Sequence, residues 1–126
     1  MEQEMNESGS ATKAFHHVGL TTHDVQAHED NVAPSKCWVT NPNDDQMRIE
    51  LLRYAADSPV SQDFQQSPHI AYSVDELEPH LVGKNVIIQP FDVDDPPFAR
   101  VAFTLEDGLY IEYMKFYPGR TWFGGK

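Results

Sequence analysis

The stretch "DGLYIEYMKF" (residues 107–116) opens on an Asp-Gly hairpin signal and runs on as a strand. In an extended chain Tyr110, Glu112, Met114 and Phe116 share one face, while Leu109, Ile111, Tyr113 and Lys115 share the other. A carboxylate therefore stands in a row of large apolar side chains. Such a group is costly to bury unless a cation, a donor or water lies beside it. An earlier stretch repeats the pattern. "IELLRY" (49–54) aligns with "IEYMKF" (111–116) as Ile, Glu, two apolar residues, a basic one and an aromatic one. "HVGLT" (17–21) aligns with "HIAYS" (69–73) as His, β-branched, tiny, apolar, hydroxyl. The chain reads as a duplicated unit, each copy opening on a histidine strand and closing on a glutamate strand.

The second half has the order β-α-β-β-β. "HIAYSV" (69–74) is a strand, and "DELEPHLVGK" (75–84) a short helix with Asp75 as its cap. "NVIIQPFDV" (85–93) is a strand that Pro90 confines to an edge or a bulge. "RVAFTLE" (100–106) and "LYIEYMKF" (109–116) form a hairpin. In the first half "AFHHVGLTT" (14–22), "SKCWVTNP" (35–42) and "QMRIELLRY" (46–54) read as strands. Residues 23–34 carry no helical stripe and are expected as a loop or one or two turns. The first half is thus shorter, by about one helix or one strand and turn. The expected organisation is an N-terminal arm over 1–13, a first module over 14–54, a linker over 55–68, a second module over 69–117 and a tail over 118–126. The polar, acidic opening "MEQEMNESGS" is unlike a signal peptide and is read as a frayed arm.

Composition narrows the partners. Twenty acidic against nine basic residues give a formal charge of −11, which argues against nucleic acid or an anionic membrane as partner. The hydrophobic share of 40% is enough for a core, with no apolar run as long as a membrane span. A single cysteine, Cys37, excludes an intrachain disulfide and makes a cytoplasmic location the default.

The duplication carries the chemistry. Two related modules side by side bring equivalent strands together about a pseudo-two-fold axis, so His17, Glu50, His69 and Glu112 should converge. Imidazole nitrogen and carboxylate oxygen suit a divalent first-row metal such as Ni, Co, Zn, Mn or Fe. Four protein ligands leave one or two positions for water or a small-molecule substrate. Gly19 and Ala71, two residues beyond the histidines, keep the space above the metal open.

These motifs resemble the vicinal oxygen chelate superfamily, which includes glyoxalase I, methylmalonyl-CoA epimerase, extradiol dioxygenases and bleomycin resistance proteins. "HHVGL", "HIAYSVDEL", "IELL" and "GLYIEYMKF" are similar to its strand motifs, over about residues 14–117. The resemblance implies an α+β fold of two paired βαβββ modules, the first shortened, forming a cupped mixed sheet around a metal cleft. It implies that His17, Glu50, His69 and Glu112 are the metal ligands, most like the glyoxalase I and epimerase set. The implied activity is that of a lyase, isomerase or dioxygenase on a substrate with vicinal oxygens, with an enediolate stabilised and with Glu50 and Glu112 catalytic. The alternative it carries is a metal-free sequestering protein of the bleomycin resistance type. No glutathione or CoA handle is visible, since Arg48, Arg53, Arg100 and Arg120 are scattered.

Other residues have plainer expectations. Glu50 has Arg48 on its own face, so an ion pair is open to it. Strict alternation points His16 away from His17. His23, His28 and His80 are expected in solvent, and Cys37 is expected to pack. Trp122 and Phe123 are too apolar to leave in water and are expected to cover a cleft rim or a partner subunit. Open sheet edges and the aromatic tail together predict a homodimer.

Overall fold

A computed structural model describes residues 12–125. Eight strands form one mixed sheet: β1 (Lys13–Thr21), β2 (Asp30–Val32), β3 (Cys37–Val39), β4 (Ile49–Tyr54), β5 (His69–Val74), β6 (Asn85–Val93), β7 (Ala99–Glu106) and β8 (Leu109–Phe116). Their order across the sheet is β2-β3-β4-β1-β5-β8-β7-β6. Helix is sparse: α1 (Gln62–Gln65) and α2 (Glu78–Leu81), with short 3₁₀ turns. Among the described residues no helix is long and apolar enough to cross a membrane.

The repeat found in the sequence is a repeat of register. In the parallel pair β1–β4, Val18 faces Ile49 and Gly19 faces Glu50. In the parallel pair β5–β8, Ile70 faces Ile111 and Ala71 faces Glu112. The two pairs meet in the antiparallel ladder β1–β5, where His17 faces Ala71, Val18 faces Ile70 and Gly19 faces His69. A two-fold axis through the Val18–Ile70 pair exchanges the halves. The halves therefore join within one chain.

Because side chains alternate across a strand, this register puts both histidines and both glutamates on one face. That face also carries the main core, in which Cys37, Val39 and Leu52 from one flank meet Val101, Phe103 and Met114 from the other. Strands so far apart in the order share one cluster only because the sheet curls toward that face. The opposite face of β5 and β8 buries Val74, Ile111 and Tyr113 with Leu77, ahead of α2. In the first half, no helix among the described residues covers the equivalent face, and Leu20 is exposed.

Several local expectations are corrected. Segment 23–34 contains strand β2, which the polar sequence hid, so the first half lacks the helix and keeps the strand. Three residues suffice there because β2 is an edge strand pairing only with β3. Helix α2 is one turn long. Its N-cap position is Leu77, without a side-chain cap, so Asp75 does not start it. The arm expected over 1–13 falls largely outside the described residues, and Lys13 already belongs to β1. Pro90 does lie on the edge strand β6, whose register breaks between Ile88 and Phe91. The 107–108 turn has positive φ at both Asp107 and Gly108, as a two-residue hairpin turn requires.

Candidate metal centre

Four side chains from four central strands converge: His17 on β1, Glu50 on β4, His69 on β5 and Glu112 on β8. All four are buried, and one ligand atom from each lies within 4.8 Å of the others. His17 Nε2 is 3.2 Å from Glu50 Oε1 and 3.3 Å from Glu112 Oε1. His69 Nε2 is 3.2 Å from Glu112 Oε1 and 3.7 Å from Glu50 Oε1. The contacts are short but poorly aligned, and neither Nε2 has a hydrogen-bond partner. Two buried nitrogens without hydrogen bonds, facing two carboxylates, cost free energy unless something else occupies the middle. A cation at metal–ligand distances of about 2.1 Å would hold neighbouring ligands about 3–3.5 Å apart, and three of the four nitrogen–oxygen distances fall in that range. The residues fit a divalent cation.

The electrostatics agree. Burial alone would lower the His17 pKa, but the Glu50 charge, with both carboxylates in contact, raises it to about 10. Burial likewise opposes ionisation of Glu112, and contact with His17 and His69 overrides it, bringing its pKa to about 2. Without a cation these shifts favour a protonated His17 beside an ionised Glu112. Arg48 forms no ion pair with Glu50. It donates from Nε to the His16 carbonyl (2.6 Å) and from Nη2 to Asn43 Oδ1 (2.9 Å), which leaves Glu50 free for the cluster.

His16 is placed differently from its expectation. The β1–β5 register slips between Phe15 and His17, so His16 is the extra residue of a β-bulge. The bulge breaks the alternation and brings His16 Nδ1 within 2.8 Å of His17 Nδ1. Burial, reinforced by the charges of His17 and Arg48, lowers the His16 pKa to about 4 and keeps the ring neutral. A neutral His16 accepting from His17 Nδ1–H leaves the His17 Nε2 lone pair for a metal. The bulge has no signature in the residues that form it.

The surrounding wall is apolar. Glu50, His69 and Glu112 line a cavity of about 50 Å³ together with residues including Cys37, Leu52, Phe64, Val101, Phe103, Met114, Trp122 and Phe123. Phe64 comes from α1, in the segment read as a linker, and stacks on the His69 ring at 5.7 Å. Trp122 and Phe123 come from the tail, and both are buried in the cleft itself rather than resting on its rim. Cys37 packs as expected. Burial first, then the Glu50 and Glu112 charges, push its thiol pKa up to about 12, so it is no nucleophile. His23 and His28 are exposed. His80 is buried against Tyr113, with ring centroids 5.2 Å apart, contrary to its expected place in solvent.

No protein-family model matches the sequence, and no curated protein does. The fold is similar to the crystal structure of a hypothetical protein from Bacillus halodurans C-125, with a TM-score of 0.63 and 16% identity. The match covers 87% of this chain and 99% of that one. The likeness extends to the fold alone.

Proposed function

We propose that His17, Glu50, His69 and Glu112 bind one divalent first-row cation (Ni, Co, Zn, Mn or Fe). On this reading the protein is a metal-dependent enzyme of the vicinal oxygen chelate superfamily, built from two paired βαβββ modules of which the first has lost its helix. One observation carries the reading. Two imidazole nitrogens, buried and without hydrogen bonds, face two buried carboxylates from symmetry-related strands. A bound divalent cation supplies Lewis acidity to the oxygens of a substrate.

The chain's own residues supply the rest. The two glutamates differ in their distances from the imidazole nitrogens. Glu112 Oε1 lies 3.2 and 3.3 Å from the two imidazole nitrogens. Glu50 Oε1 lies 3.2 and 3.7 Å from them. We assign Glu50, the more distant of the two, as the displaceable carboxylate that shuttles a substrate proton, with Glu112 the fixed ligand. The apolar wall excludes water from the reacting oxygens. The reaction class is an isomerase, lyase or dioxygenase step on a small molecule with vicinal oxygens.

Calorimetry of the metal-stripped protein with Ni, Co, Zn, Mn and Fe(II) salts tests this directly. One equivalent should bind, chelation should lower thermal stability, and re-addition should restore it by mass action. Glu112→Gln should weaken binding by about a hundredfold or more, the range for loss of a buried ion contact. If no metal binds, or if Glu112→Gln binds as wild type does, the enzyme reading fails. A metal-free small-molecule binding protein of the bleomycin resistance type then replaces it.

A further inference from the structure

The buried side-chain atoms without partners among the described residues are His17 Nε2, His69 Nε2, His80 Nε2 and Trp122 Nε1. The first two face the proposed cation. The last belongs to the same place, because Trp122 lines the cavity with Glu50, His69 and Glu112. Its ring stacks on His16, with centroids 5.8 Å apart and planes 15° apart, and meets His17 edge-on at 6.1 Å. An indole N–H can only donate, and leaving it unpaired in an apolar wall is costly. Its position beside a metal ligand points to an acceptor oxygen on a bound molecule.

The wall also defines the rest of that molecule. No Lys or Arg is among its lining residues, so apart from the proposed cation nothing there would pair with a carboxylate or phosphate handle. The free space of about 50 Å³ holds only a few waters, so a larger body requires the apolar wall to yield, for which Phe123 is the strained point. Phe123 has φ 44° and ψ 40°, a conformation that a bulky residue adopts at a cost. It is held there by packing on Phe98 at 4.9 Å and on Trp122 at 5.9 Å, contacts that a ligand ring can replace.

We infer that Trp122 is a substrate-binding residue whose indole N–H donates to an oxygen of a small molecule that chelates through two oxygens, has an apolar body and carries no charge beyond the chelating group. The inference rests on the metal reading above. Tropolone, which chelates as a monoanion through two oxygens on an apolar ring, is a suitable probe, with oxalate as a dianionic counterpart lacking that body. Cobalt-loaded wild-type protein should bind tropolone more tightly than oxalate once each is scaled to its affinity for free cobalt. Trp122→Phe should bind cobalt as wild type does and lose about tenfold in tropolone affinity, the loss of one buried hydrogen bond. In zinc-loaded wild-type protein the Trp122 indole proton, told apart from Trp38 by a Trp38→Phe variant, should move downfield when tropolone is added. A preference for oxalate, an unmoved indole proton, or equal tropolone binding by Trp122→Phe in the presence of bound cobalt would overturn this inference alone. Failure of the wild type to bind cobalt would overturn the metal reading and this inference with it.

Discussion

Gly19 faces His69 across the β1–β5 ladder, and a Cβ at position 19 would overlap the His69 ring at Cε1. The glycine is there to make room for an imidazole. Its symmetry mate Ala71 faces His17 and already carries a Cβ. Gly19→Ala should therefore push His69 out of the cluster, costing about 1–3 kcal/mol as an overpacked core site does. Metal affinity should fall with it. Ala71→Gly should leave metal affinity nearly unchanged. Paired denaturation and metal titration of the two variants reads this difference, and equal behaviour would count against it.

Phe64 makes the segment between the halves part of the site. Its ring stacks on His69 and meets Phe103 and Tyr110 edge-on at 5.0 and 5.1 Å. Phe64→Ala should destabilise by about 3–5 kcal/mol, the usual range for emptying a buried aromatic site. Phe64→Leu should recover part of that. Urea midpoints measure both. A loss under 1 kcal/mol for Phe64→Ala would mean that the segment is not anchored through this ring.

The four cluster residues were legible because they sit on strands whose inward period is kept, so repetition of His and Glu in the sequence became repetition in space. What was hidden depended on departures from that period or on distant contacts. The bulge at His16 turns one residue to the other face, and nothing in "FHHV" marks it. Strand β2 has only three residues and gains its hydrogen bonds from β3, so "DNV" has no local signature of its own. Phe64 and Trp122 lie in polar or terminal stretches, where one aromatic residue has no period to betray its direction. Burial of Trp122 was foreseeable from its apolar area, but its place in the cleft was not.

Assembly as a homodimer is proposed on the surface left bare in the first half. Phe15 and Leu20 of β1 are exposed there, and no helix among the described residues covers the outer face as in the second half. The sheet edges are less suited to pairing, since β2 is short and β6 carries Pro90 and register breaks. Light scattering at tens of micromolar should give twice the chain mass, and Leu20→Glu should give monomers. A strict monomer for the wild type would remove the proposal.

The proton held by the cluster gives a last prediction, with opposite signs for its two members. His17 is raised from 6.5 to about 10, so it stabilises the metal-free protein fully below pH 6.5 and ceases to do so as pH rises through 10. Glu112 is lowered from 4.5 to about 2, so its contribution is full above pH 4.5 and is lost as pH falls through 2. The metal-free protein should thus gain most from the cluster between these ranges, at about pH 4.5–6.5. A cation needs His17 neutral, so its binding must expel the proton. Apparent metal affinity should therefore rise about tenfold per pH unit through the neutral range and level off near pH 10. Calorimetry at pH 7.5 in two buffers of different ionisation enthalpy should count about one proton released per metal bound. Release of none would mean that the four residues do not share a proton in the metal-free state.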